Sequence, residues 1–166
     1  EMLRSLVGSE MCIRDRAILY GSNILVIAQN DPPGNNVTSV RLGARVPITL
    51  TASGAALISQ MPQHQRAEIC AGVEFATHDH NKVFEESVDQ VITTGVCVSP
   101  SMVIAGVQNI SVPILDYSGL VVASLTIPYI QRLISTNDPD LDQAKTALAE
   151  TGKNISIRLG AGVSTL

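Results

Sequence analysis

The stretch from Asn109 to Tyr129, NISVPILDYSGLVVASLTIPY, constrains the fold more than any other part of the chain. Two runs rich in β-branched residues flank DYSG at 116 to 119, a cluster of turn formers, and both alternate with a period of two. With Val107 to Leu115 extended, Gln108, Ile110, Val112 and Ile114 share one face, and Val107, Asn109, Ser111 and Pro113 share the other. Leu120 to Ile127 divides in the same way, Val121, Ala123 and Leu125 lying opposite Val122, Ser124 and Thr126. Each strand carries one polar-bearing face, and antiparallel pairing brings those two faces together. Hydroxyl and amide groups buried there need hydrogen-bond partners. The residues leave two readings open: a recess that a small polar ligand fills, or side chains bonded to local backbone, with Asn109 closing a bulge or an edge.

Upstream, AILYGSNILVIAQ predicts a hairpin, with runs 17 to 20 and 24 to 28 around Gly21-Ser22-Asn23. The turn-forming loop 30 to 36 leads to an expected third strand over Val37 to Leu42, a bend at Gly43 and a short extended piece from Val46 to Ile48. Thr51 is placed to cap a helix running to Met61, and Pro62 opens a second, short helix that ends before Gly72. Phe84, Val88, Val91 and Ile92 repeat at helical spacing and predict a helix over 81 to 93 that Gly95 stops. A short strand at GVCV follows, and a last helix is expected from Asn137 or Asp138 to about Leu159, with Pro139 in its first turn. Strands, helices, strands and helix in that order, without a regular βα repeat, favour an antiparallel sheet flanked by helices over a doubly wound fold.

A chain of 166 residues that is 45% hydrophobic and 16% charged is long enough for one folded domain. Its formal charge of −4 supplies no general attraction to a polyanion, so nucleic acid is not expected as a partner of this chain alone. Cys12, Cys70 and Cys97 form no CxxC pair and leave an odd thiol, which fits a reducing cytoplasm better than secretion. No apolar run approaches the roughly 20 residues of a membrane span, and the start lacks the pattern of a signal peptide. SLVGSEMCIRDR at 5 to 16 shows neither helical nor strand periodicity and resembles a translated sequencing-adapter read-through; residues 1–16 are expected to be a non-native or disordered leader before a domain over 17–166, the alternative being a short native helix or strand.

Catalytic chemistry finds little support. His78 and His80 in HDH lack a third ligand at diagnostic spacing and are expected in a solvated loop, so neither a metal nor a cofactor is expected. Cys97 has no local base or orienting carboxylate and reads as a buried small thiol. Ser53 in ASGAA lacks both the G-x-S-x-G elbow and a lysine three residues on. The chain is expected not to be an enzyme.

LGARVPITLTASGAALIS at 42 to 59, GVQNISVPILDYSGLVVASLTIPY at 106 to 129 and ISIRLG at 155 to 160 together resemble the effector-binding domain of IclR-type bacterial transcription regulators. The resemblance covers about residues 17 to 166 and implies an α+β fold similar to GAF domains, with a curved antiparallel sheet flanked by helices. It also implies sensing of a small organic acid or related metabolite, with DNA bound only through an N-terminal winged helix-turn-helix missing from this chain. An apolar edge exposed by truncation is expected to favour self-association into a homo-oligomer. Carried over onto matching positions, the resemblance places effector contacts at Ala52, Ser53 and Gly54, whose amides face an anionic group, and at Ser99, Val107, Asn109 and Thr126. Leu25 is expected to help exclude water. Two departures stand out: Pro128 replaces a second hydroxyl residue, and Ala55 stands where many relatives carry lysine. The alternative function is a structural or dimerisation domain that fills the same space with its own side chains.

Overall fold

The structure, a computed structural model, describes residues 15–29, 41–73, 78–102, 105–130 and 139–162. Strands β1 (Asp15–Tyr20), β2 (Asn23–Gln29), β3 (Arg45–Pro47), β4 (Cys97–Pro100), β5 (Gln108–Leu115) and β6 (Val121–Tyr129) form one sheet in the order β3-β2-β1-β6-β5-β4. Every pairing is antiparallel. With helices α1 (Ala52–Ile58), α2 (Gln63–Ala71), α3 (His78–Thr94) and α4 (Leu141–Arg158), this is the expected α+β architecture, a curved sheet flanked by helices.

The alternation of β5 and β6 sorts the core into two layers. Ile110, Val112, Ile114, Leu125 and Ile127 pack with Ala144 and Leu148 of α4 on one side. On the other, α1 lies against the sheet, and all seven of its residues are buried. Its small side chains allow that close approach: Ala52, Ala55 and Ala56 cluster with Ala17, Ile24 and Ile48, while Phe84, Val88 and Val91 of α3 close the layer from outside. Prolines sit inside two neighbouring strands, β5 and β6, each where the strand on its other side has ended. Pro113 lies past the end of β4, which starts opposite Ser111, and Pro128 lies past β1, which starts opposite Thr126.

Several boundaries differ from expectation, each for a local reason. The first helix stops at Ile58 rather than Met61; Ser59 keeps helical dihedrals, and Met61, immediately before Pro62, stands where the helical conformation is disfavoured. The last helix starts at Leu141, after Pro139 instead of around it: Asp140 accepts from the Gln143 amide at 2.8 Å while the Gln143 side chain accepts from the Asp140 amide at 3.1 Å. That reciprocal capping box fixes the helix start. His78 to His80 form the first turn of α3 rather than a loop. The expected strand over Val37 to Leu42 falls largely outside the described residues; Arg41 and Leu42 lie in no strand, and β3 pairs Arg45 to Pro47 with β2 instead. The first strand begins at Asp15, ahead of Ala17, and the rest of the leader lies outside the described residues. No helix among the described residues is long and apolar enough to cross a membrane.

Candidate functional site

The register of β5 and β6 puts Ser111 opposite Thr126, Pro113 opposite Ser124 and Asn109 opposite Pro128, so the two polar faces do meet. They meet beneath α1. Thr51 caps this helix by accepting the Gly54 amide at 2.9 Å and donating to the Ile48 carbonyl at 3.3 Å, which turns Ser53 toward the sheet. The Ser53 hydroxyl lies 2.7 Å from that of Thr126, and Thr126 lies 2.8 Å from Ser111. Ser111 in turn reaches the Leu125 carbonyl at 3.5 Å. Each hydroxyl has a single proton to donate, so with Ser111 donating to the carbonyl, Thr126 donates to Ser111 and Ser53 to Thr126.

This hydroxyl chain lies within a polar row that crosses the sheet, from Cys97 through Ser111 and Thr126 to Asp15 and Gln29. Burial pushes the Cys97 thiol up to about 11, against the opposing pull of hydrogen bonds with Ser87 and Ser99. A thiol held up in this way is a poor nucleophile. In the native protein, Cys97 should be alkylated by iodoacetamide about 100-fold more slowly than in urea at the same pH, read by peptide mass mapping. Because the folded value lies above the ordinary one, the associated stability is present below pH 9 and drains away as pH rises toward 11. Equal native and unfolded rates would show that the thiol is not buried as described.

Beside the row, a recess of about 200 Å³ opens between the turn at Ile48–Leu50, the start of α3 and β4, lined among others by Thr49, Thr51, Phe84, Ser87, Ser99 and Met102. Ser99 therefore lies on an open space, and its cross-strand partner is Asn109, which is half-buried. Ser53 and Thr126 are in direct contact. Ala52, Ser53, Gly54, Val107, Asn109 and Thr126 do not line the recess. Ala52, Gly54 and Val107 are buried, and the Gly54 amide is committed to Thr51. Leu25 alternates with Ile24 and Val26 and so lies on the far side of the sheet from α1, which corrects its expected place. Thr49, Ser87 and Ser111 were not among the expected contacts. Ser111 was visible on the polar face; Ser87, between apolar Phe84 and Val88, offered only its position on the helix stripe; Thr49 offered no sequence signal.

A larger groove of about 430 Å³ runs between α2 and α3, with Arg66, Cys70, Glu85 and Asp89 along it, away from the hydroxyl chain. Among the described residues no group of three or more His, Cys, Asp or Glu gathers to hold a metal ion.

Comparison with known proteins decides the family. The family described as bacterial transcriptional regulator IclR, C-terminal, matches residues 12–157. The chain belongs to the IclR family. It is 30% identical over 118 residues to the Pca regulon regulatory protein of Pseudomonas putida, a match that covers 67% of this chain and 40% of that protein. The chain thus spans less than half the length of this curated relative. The C-terminal domain of the Escherichia coli regulator KdgR superposes with a TM-score of 0.75 at 23% identity, covering 96% of this chain and 94% of that one. The inducer-binding domain of a PobR double mutant from Acinetobacter, solved with 3-hydroxybenzoic acid, gives 0.73 at 21% identity and covers 93% of each chain. An IclR homolog of Microbacterium hydrocarbonoxydans, solved with 4-hydroxybenzoate, gives 0.73 at 19% identity, covering 95% of this chain and 63% of that one. These structural likenesses show the shared fold. IclR-family regulators are not enzymes, and this domain belongs to their effector-binding part.

Proposed function

We propose that this domain senses a small organic acid and acts as the regulatory part of a DNA-binding transcription regulator, a homo-oligomer that meets DNA through an N-terminal winged helix-turn-helix. The observation that carries the reading is the open recess at Ser99 next to a buried chain of hydroxyls that reaches Thr126. Its volume, about 200 Å³, is below the roughly 300 to 1,000 Å³ of drug-sized sites and suits a single ring or a short chain. Relatives of the same fold were solved with hydroxybenzoic acids, which fall in that class. In this reading the effector enters at Ser99 and reaches from the recess in under α1, so that Ala52, Ser53, Gly54, Val107, Asn109 and Thr126, which do not line the recess, come into contact with it, Ser53 and Thr126 exchanging their mutual bond for bonds to it.

Calorimetry with benzoate, 3-hydroxybenzoate, 4-hydroxybenzoate and short keto and hydroxy acids tests the proposal. Asn109→Leu, by removing an amide that both donates and accepts, should weaken binding by about tenfold. Thr126→Val should weaken it similarly and also lower Tm, since Ser53 and Ser111 each lose a buried partner at a cost of about 1 to 3 kcal/mol. The structural alternative draws support from the same bonds, because the three hydroxyls already satisfy one another. In that case Thr126→Val lowers Tm and no acid in the screen binds the wild type; an acid that binds wild type and both variants equally would remove these residues from the site.

A further inference from the structure

We infer that Thr49 is a specificity-determining residue of this domain, one that reads an uncharged hydroxyl or carbonyl group on the effector. The inference rests on the proposed sensing function and adds which end of the ligand enters the recess. Thr49 is only 6% exposed, yet its Oγ1 has no hydrogen-bond partner among the described residues. Burying a hydroxyl without a partner is unfavourable, and a native domain rarely keeps one unless something else completes it.

Its surroundings say what that something is. Thr49 lines the recess together with Thr51, Ser87 and Ser99, and no Lys, Arg, Asp or Glu side chain is among the residues lining it. Ser87, itself 8% exposed, spends its proton on the Val83 carbonyl at 2.8 Å and also meets the Cys97 thiol, so what it offers the recess is a remaining lone pair. Thr51 is likewise engaged, with the Ile48 carbonyl and the Gly54 amide. Ser99 shares a hydrogen bond with Cys97, which leaves Thr49 as the wall residue whose hydroxyl has no partner among the described residues; its Oγ1 is covered in the unliganded protein and meets a ligand group by turning about the Cα–Cβ bond, then able to donate or accept. A carboxylate would enter a space with no cation to meet it, whereas a neutral hydroxyl finds one group able to donate and another able to accept. Val83, Phe84 and Met102 supply the apolar wall for the ring or chain that bears it.

A chemical double-mutant cycle tests this. Binding of benzoate, 3-hydroxybenzoate and 4-hydroxybenzoate is measured by calorimetry on the wild type and on Thr49→Val, alongside the melting temperature of each unliganded protein. The wild type should prefer one of the hydroxy acids over benzoate by about tenfold, and T49V should shrink that preference to under about twofold with benzoate affinity unchanged. Without ligand, T49V should melt at the same temperature or up to about 2 °C higher, since it removes an uncompensated buried hydroxyl. A lower melting temperature would reveal a structural partner for Thr49 and overturn the inference, as would full discrimination surviving in T49V. If none of the three acids binds the wild type, the proposed ligand class fails and takes this inference with it, a result distinguishable because it appears before any substitution is made.

Discussion

Gly54→Ala is expected to destabilise the domain by about 3 kcal/mol or more, the largest effect of any single methyl added to it. A Cβ at this position falls 2.0 Å from the carbonyl oxygen of Ile48, 2.6 Å from its Cγ1 and 2.7 Å from its carbonyl carbon. Two of these three atoms are backbone, held by the turn at Ile48–Leu50, and Ile48 is fully buried, so no side chain can swing away to make room. The helix has to move instead. Since α1 carries Ser53, its displacement also pulls that hydroxyl from Thr126, and the loss should extend to effector binding in whatever folded protein remains. Gly72→Ala is the control. Its Cβ meets only the Ser22 hydroxyl at 2.8 Å, the end of a short side chain able to rotate, and the backbone there has an ordinary negative φ of −83°. That substitution should change stability by less than about 1 kcal/mol. Urea unfolding followed by circular dichroism separates the two, and equal midpoints for both variants would show that Ile48 yields to the added methyl.

The polar row beneath α1 was half legible in the sequence. A period of two leaves no freedom about which residues share a face, and DYSG holds the two strands close enough in register that Ser111 and Thr126 come level. What parity cannot supply is the third member. Ser53 joins Thr126 across 73 residues of sequence, and only the resemblance to the family placed it near the strands. Thr49 was beyond reach for a different reason: its burial depends on α3 packing over a single 3₁₀ turn, a tertiary event that leaves no trace in the local pattern PITLT. The same division holds for the fold. Apolar periodicity located α3 and α4, whereas α1 and α2 were placed by the Thr51 cap, Pro62 and Gly72; where the long helices began was decided by single side chains, as by the Asp140–Gln143 pair for α4. A pattern of period 3.6 reports the middle of a helix and is silent about its ends.

On the opposite face of the sheet, Leu148→Ala should cost about 2 to 5 kcal/mol. Leu148 is fully buried at the middle of α4, in a cluster with Ile110, Val112, Ile114, Leu125 and Ile127. The neighbours positioned to close over the cavity are constrained. Gly152, one turn further on, already sits so close that a Cβ there would lie 2.8 Å from Val112, so the helix cannot settle much nearer to the strand. Ser156 pins the next turn by accepting the Leu115 amide at 2.9 Å while donating to the Gly152 carbonyl at 2.9 Å. A helix tied at that end relaxes poorly, which places the expected loss in the upper half of the range and the fall in Tm near 10 °C for a domain of this size. The urea midpoint should drop with the slope unchanged, the mark of lost stability rather than a changed unfolded state. Effector affinity of the folded fraction should stay within about twofold of wild type, because the Ser53–Thr126–Ser111 chain and the recess at Ser99 lie on the other side of the sheet. A loss below about 1 kcal/mol would mean that α4 is free to collapse onto β5, and the close approach at Gly152 would then not be the constraint it is taken to be.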